Sequence, residues 1–330
     1  MKSILALVFL QTYMASADPK GYQLKEPIQP LPEISFSEID TEKILLGKKL
    51  FHDVKLSHNN TISCSSCHDL QHGGVDGKAK SIGINGTLGD INAPTVFNSG
   101  FNFRQFWNGR AKNLEEQIEG PVQNPKEMDS AWDEVLVKLK KDSQYPSSFS
   151  KLYSNGITKE NIEDAIATFE RALVTPNARF DRYLRGDSDA LSDIEKNGYQ
   201  RFKSFGCVAC HQGMNVGGNM YQTMGVMGNY FKDRGTPITD ADLGKYVLTK
   251  EEADKHVFRV PSLRNVELTA PYFHDGSAKT LEDAINIMAK YQLGRKLTKE
   301  EVHSIAAFLK TLTGETPNIL KGNRTHGESK

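Results

Sequence analysis

A surplus of charge is missing from this sequence: 41 lysines and arginines balance 41 aspartates and glutamates over 330 residues. Without an excess of either sign, nothing argues for a nucleic-acid partner or for adsorption to a membrane surface. Long apolar runs are missing as well. The stretch from Ile4 to Leu10 is far shorter than the ~20 residues that span a bilayer, so no membrane span is expected in the mature chain. Tryptophan occurs twice and cysteine four times. Sustained alternation of apolar and polar residues is scarce, which argues against a fold built on sheets.

The N-terminus has the organisation of a secretory signal peptide over residues 1–17. Lys2 supplies the positive charge, Ile4 to Leu10 the apolar stretch, and Ala15-Ser16-Ala17 the small residues of a cleavage site, with cleavage near Ala17/Asp18. No cysteine lies close to that site, so a lipid-modified N-terminus is unsupported. Export to the periplasm is expected.

The four cysteines form two copies of one pattern. Cys64-Ser65-Ser66-Cys67-His68 and Cys207-Val208-Ala209-Cys210-His211 are both C-x-x-C-H, the attachment signature of a c-type haem. Two thiols on one turn can each form a thioether to a haem vinyl group, and the adjacent histidine then lies under the iron. A zinc ribbon needs its cysteine pairs ~15–20 residues apart, and these lie far beyond that spacing. Two disulfides would leave the paired histidines without a purpose. Two covalently bound haem c groups, with Cys64, Cys67, Cys207 and Cys210 as attachment points, are therefore expected.

Between and after the motifs the periodicity is helical. Ile162, Ala165, Ile166, Phe169 and Leu173 share one helix face, as do Val302, Ile305, Ala306 and Leu309. Ser130 to Asp133, Ser192 to Glu195 and Thr298 to Glu301 resemble capping boxes. The fold expected is mainly α, with two c-type cytochrome domains each around one covalent haem, long loops and little β. A break near Thr175-Pro176-Asn177 separates an N-terminal haem domain over 18–176 from a C-terminal haem domain over 177–316. A polar, disordered tail over 317–330 is expected beyond it. The glycine- and asparagine-rich segments Gly73 to Asn92 and Gly213 to Asn229 are long enough to be functional loops.

Further segments resemble the bacterial dihaem cytochrome c peroxidases. They are Gly73-Gly74-Val75-Asp76-Gly77, Asn92-Ala93-Pro94-Thr95, Phe106-Trp107-Asn108-Gly109-Arg110, Gly120-Pro121, Asn124-Pro125, Glu127-Met128, Pro271-Tyr272-Phe273-His274-Asp275-Gly276, and Met288-Ala289 with Gln292-Leu293-Gly294. The likeness runs from about Pro32 to Leu312. It implies reduction of hydrogen peroxide to water with electrons from a small c-type cytochrome or copper protein. His68 becomes the proximal ligand of a low-potential, peroxide-binding haem. His211 and Met288 become the ligands of a high-potential haem that takes in electrons. Met214, Met220, Met224 and Met227 crowd the same region, and only the family pattern singles out Met288. Glu127 is implied as the acid–base group, Gln117 as a hydrogen-bond partner of peroxide, and Trp107 as the aromatic between the haems. A calcium ion on the side chain of Asn92 and the carbonyls of Thr269 and Pro271 is implied too, as is a homodimer.

The chain departs from the family pattern at one point. Many relatives close the peroxidatic iron with a distal histidine, and Ile84 stands at that position within Ser81-Ile82-Gly83-Ile84-Asn85-Gly86. Isoleucine cannot ligate iron; His72, only four residues past His68, is poorly placed to reach the opposite face, and His58, before the motif, reads as an ordinary loop histidine. The peroxidatic haem is thus expected to be open even when fully oxidised. Two other readings are a related dihaem enzyme that oxidises a protein substrate, with Tyr291 in place of Met288 as ligand, and a non-enzymatic electron carrier.

Overall fold

The computed structural model describes residues 26–321; the expected signal peptide over 1–17 and the last part of the tail over 322–330 lie outside the described residues. Helices run over Glu38–Phe51 (α1), Cys64–Cys67 (α2), Leu114–Gln123 (α3), Trp132–Lys141 (α4), Tyr145–Leu152 (α5), Lys159–Ala172 (α6) and Arg179–Leu184 (α7). They continue over Asp193–Ser204 (α8), Tyr230–Arg234 (α9), Tyr246–Thr249 (α10), Leu281–Leu293 (α11) and Lys299–Lys310 (α12). Tyr221–Thr223 (β1) pairs antiparallel with Val257–Arg259 (β2). The molecule is mainly helical with little strand, as the periodicity predicts. No helix among the described residues is long and apolar enough to cross a membrane.

Apolar side chains gather in two large clusters and a small one of Tyr230, Phe231, Phe258 and Tyr291. The first holds Leu50 and Phe51 of α1, Ile118 of α3 and the α6 face of Ile162, Ala165, Ile166 and Phe169. The second holds Tyr199 and Phe202 of α8, Ile285 of α11 and the α12 face of Val302, Ile305, Ala306 and Leu309. One packing device occurs in both. A Cβ on Gly47 of α1 would stand 1.9 Å from the Ala165 carbonyl oxygen of α6, and one on Gly198 of α8 would stand 1.9 Å from the Ser304 oxygen of α12. A phenylalanine one turn on, Phe169 or Phe308, completes each crossing. Each large cluster therefore rests on a helix pair whose backbones approach closely, and Cys64 packs against the first cluster and Cys207 against the second.

The clusters change over between Leu173 and Phe180, and the chain there is pinned. Buried Thr175 accepts hydrogen bonds at Oγ1 from Asn98 Nδ2 (2.9 Å) and Asn265 Nδ2 (3.0 Å), one from each half. The ends of the described chain cross over as well. Ile28 is buried in the second cluster, with the carbonyls of Gln29 and Leu31 taking hydrogen bonds from Arg264 and Arg185. At the other end, Ile319 and Leu320 pack against the first cluster, and Lys48 Nζ donates to the Ile319 oxygen (3.3 Å). Residues 318–320, expected within a disordered tail, form a short 3-10 turn instead. Two apolar side chains in an otherwise polar stretch account for it.

Capping follows the sequence at two of three places. Ser192 with Glu195 and Thr298 with Glu301 form capping boxes on α8 and α12. Ser130 does not cap α4: the cap is Ala131, without a side-chain bond, and Ser130 Oγ is buried with no partner. The cause is the preceding loop, which bends back so that Ser130 N–H donates to the Val122 oxygen of α3 (2.8 Å).

Helix α6 also buries Glu170, whose Oε2 has no partner, beside the Cys64 end of the first motif. Desolvation pushes its carboxyl up to about 8, against about 4.3 in an unfolded chain. Between those values the folded chain keeps a proton that the unfolded chain has lost, so stability falls as pH rises through that window. Glu170→Gln is expected to leave stability unchanged near pH 4 and to raise it by about 5 kcal/mol above pH 8. Urea unfolding of the holoprotein at the two pH values checks this, and an equal effect at both would contradict it.

Candidate functional site

At the first motif, Ser63 precedes a single helical turn that carries Cys64 and Cys67, and His68 follows as its C-cap. The turn sets both sulfurs and the imidazole on one side of the chain. His68 Nδ1 lies 3.2 Å from the Gly74 carbonyl oxygen. Gly73 and Gly74 both have positive φ, which is what brings that carbonyl round. A carbonyl acceptor at Nδ1 fixes the tautomer that leaves Nε2 free to ligate. Burial lowers the His68 pKa, against the pull of the Gly74 and Pro94 carbonyls, so the ring is neutral and ready to bind a metal.

The second motif repeats this design. Cys207–Ala209 form one 3-10 turn, and His211 Nδ1 faces the Val216 oxygen at 3.4 Å. Burial brings His211 down to about 4 and raises Cys207 to about 11. All four cysteines are unpaired thiols, so neither motif is a disulfide. A cavity of about 420 Å³ opens beside this motif. Cys207, Cys210, His211 and Met288 line it, with Ile285, Leu309 and Phe258 among its mostly apolar walls. That size and lining suit a large apolar cofactor. Cysteines for thioether attachment, a carbonyl-oriented imidazole and a methionine in the same cavity are the groups a c-type haem requires.

Of the competing methionines, Met224 also lines the cavity, whereas Met214, Met220 and Met227 do not. Tyr291 is absent from the lining. Its hydroxyl donates to Asp233 Oδ2 (2.9 Å) and accepts from Lys290 Nζ (2.7 Å), away from His211.

Around the first motif, α3 carries Gln117, and the loop after that helix carries Glu127. Asn124 Nδ2 donates to Glu127 Oε1 (2.6 Å). Desolvation raises the Glu127 pKa, against the lowering effects of that hydrogen bond and of Arg110. Arg110 lies over the Phe106 ring, 3.3 Å from its centroid, and Phe106 packs on Gly120 of α3. The Phe106–Arg110 segment, α3 and the Glu127 loop thus converge.

The loop that holds Ile84 is docked on the same place. Ile84 N–H donates to the Glu127 oxygen (2.8 Å), and its side chain is buried. Gly83 admits this approach, because a Cβ there would meet the Lys126 oxygen at 2.0 Å. His72 pairs with Asp69 (2.6 Å) and His58 with Glu134 (2.8 Å), and both histidines are exposed.

Trp107 and the expected calcium residues are brought to the same cavity. Trp107 Nε1 donates to the Asn92 oxygen (2.9 Å), and Trp107, Asn92, Thr269 and Pro271 all line the 420 Å³ cavity. Asn92 Nδ2 is engaged by the Lys78 oxygen (2.8 Å). His274 stands edge-on to Trp107 at 6.3 Å and pairs through Nε2 with Asp242 (2.8 Å). Asp242, His274 and Asp275 have the proximity of a metal cluster, but Arg234 bridges the two carboxylates at 2.7 Å each and supplies the positive charge.

Several site residues carry no sequence signal of their own. The carbonyls of Gly74 and Val216 can come from any residue type. Arg110 sits inside a quoted motif without a role, and Arg259, buried on β2 at the cavity wall, reads as an ordinary strand-end charge.

The chain resembles known proteins over most of its length. A sequence profile described as di-haem cytochrome c peroxidase matches residues 41–189. The cytochrome c551 peroxidase of Nitrosomonas europaea is 49% identical over 295 residues, 89% of this chain and 86% of the relative. The cytochrome c peroxidase Ccp of Escherichia coli is 48% identical over 303 residues, 92% of this chain, and this chain spans 64% of that relative's length. Among solved structures, a MauG-like protein associated with microbial copper homeostasis superposes with a TM-score of 0.75 at 29% identity, over 89% of this chain and 96% of that one. The chain belongs to the di-haem cytochrome c peroxidase family.

Proposed function

We propose that this peroxidase reduces hydrogen peroxide to water beside His68, with electrons that enter beside His211 and Met288 from a small soluble c-type cytochrome or copper protein. A c-type haem bound at each motif supplies the redox-active iron. The chain's own residues do the rest. Cys64, Cys67, Cys207 and Cys210 anchor the two groups, and His68 and His211 present Nε2 while backbone carbonyls hold Nδ1. Met288 completes the second site, where a thioether ligand raises the potential and suits electron entry. Glu127 moves a proton from one peroxide oxygen to the other, Gln117 hydrogen-bonds the bound peroxide, and Trp107 lies on the route between the sites. The Asn92 side-chain oxygen and the carbonyls of Thr269 and Pro271 offer the all-oxygen set that suits calcium. Export to the periplasm and assembly as a homodimer belong to the same reading.

The observation that carries this reading is the half-buried Glu127 carboxyl, desolvated and held by Asn124, with the buried Ile84 bonded to its own backbone. Where a closing histidine would stand, the chain has a buried alkyl side chain. The fully oxidised holoprotein is therefore expected to consume peroxide with a reduced small cytochrome c at full rate and without prior reduction. Its electron paramagnetic resonance spectrum is expected to contain a high-spin component. A lag removed by pre-reduction, with a purely low-spin spectrum, would show that another ligand closes the site.

A further inference from the structure

Two arginines are fully buried in the C-terminal half, and they differ in one respect. Arg264 is matched: Nη1 pairs with Asp181 at 2.7 Å, Nε donates to the Met214 oxygen, and Nη2 donates to the Gln29 oxygen. Arg259 is 3% exposed, yet its Nη1 has no partner, and its one side-chain hydrogen bond runs from Nε to the Phe106 oxygen (3.2 Å). Arg259 lines the 420 Å³ cavity, and no aspartate, glutamate or lysine lines it with Arg259. A buried cation without a counter-ion costs several kcal/mol, so buried charges are found paired. The missing anion must come from whatever fills the cavity. Burial already draws the Arg259 guanidinium down to about 10, the direction expected for a cation waiting for a carboxylate.

The backbone of Arg259 adds a second function. Its N–H donates to the Trp107 oxygen (2.8 Å), and its Nε holds the carbonyl of Phe106, so both main-chain and side-chain groups grip the segment that bears Trp107. We propose that Arg259 is the anion-binding residue of the second site, where its guanidinium takes a propionate carboxylate of the haem attached to Cys207 and Cys210 and ties that haem's edge to the Phe106–Trp107 segment. Arg259 is a positioning residue that also sets a potential. A fixed cation near a haem favours the ferrous form, because reduction adds an electron to the site.

This inference rests on the assignment of a methionine-ligated haem at His211, and the test separates the two. Reductive titration of Arg259→Gln holoprotein, followed at the absorption of each haem, is expected to lower the reduction equilibrium constant of the second haem about tenfold. For one electron that is a fall of about 59 mV. The first haem should change much less. An unchanged second potential, with two haems bound and the thioether signature intact, overturns the role of Arg259. A second haem without a thioether signature in the wild-type protein would overturn the ligand assignment instead. Should the glutamine variant not accumulate, Arg259→His carries the same test, since histidine is a cation only below about pH 6.5. Its second potential must then fall more steeply with rising pH than the wild-type value does, and a parallel profile overturns the proposal.

Discussion

Glu127→Gln is expected to lower kcat/KM for hydrogen peroxide by about 10²–10⁴-fold, with both haems bound and their absorption unchanged. That range is what a positioned proton-transfer group contributes. The amide keeps the volume and can still take the Asn124 hydrogen bond, so the loop and the docked Ile84 should hold their places. What is lost is the ability to accept a proton from one peroxide oxygen and return it to the other. The pH dependence gives a second readout. Desolvation raises the Glu127 pKa, and the carboxylate is the form that accepts the proton. Wild-type activity should therefore fall as pH drops through a value above the ordinary glutamate range, and the variant should lack that limb. Steady-state rates across pH, with kcat and KM separated, make the measurement. Turnover within threefold of wild type would remove Glu127 from the chemistry.

Gly198→Ala is expected to destabilise the holoprotein by more than about 3 kcal/mol, and Gly47→Ala by a comparable amount. Helix propensity alone predicts the reverse, since alanine in a helix interior is favoured over glycine by roughly 0.5–1 kcal/mol. Packing decides the sign. The added methyl carbon would lie 1.9 Å from a backbone carbonyl oxygen in each case, and a backbone cannot swing aside as the end of a side chain can. The helices would have to separate, and the phenylalanines that complete the crossings, Phe169 and Phe308, would lose contact with them. Gly100→Ala is the control: its nearest neighbour would be Arg171 Cγ at 3.4 Å, so stability should barely change. Denaturant unfolding of the three holoproteins tests the contrast, and equal midpoints for all three would refute the packing argument.

What could be read from the sequence followed from chemistry that fixes residue type and spacing. Thioether attachment needs two cysteines on one turn and a histidine next to them, so Cys64 to His68 and Cys207 to His211 are legible without any structure. The faces of α6 and α12 are legible because burial imposes helical period on apolar residues. Legibility ended where a property depends on partners distant in the chain. Ser130 has the right spacing for a capping box, but its N–H is claimed by Val122 on the previous helix, which shifts the start of α4. Glu170 looks like one more charge on an amphipathic helix, and only the three-dimensional packing shows its oxygen enclosed without a partner. Arg259 was unreadable for the same reason: pairing is a relation between residues, and one letter does not contain it. Glycines 47 and 198 read as weak helix formers, although each marks the closest approach of two helices.

The crossed ends bear on how such a chain comes into being. A ribosome delivers residues 26–31 early, but the groups they bind, Arg185, Arg264 and the second cluster around Ile28, are made only in the second half of the described chain. In the opposite sense, the first cluster, whose buried members run from Ile44 to Leu173, receives Ile319 and Leu320 from far later in the chain. Neither half can mature as a finished module while the other is still being made, so the slow, sequence-distant contacts fall at the end of assembly. The half made first thus receives its last packing contacts late, which lengthens the interval in which Cys64 and Cys67 stay accessible.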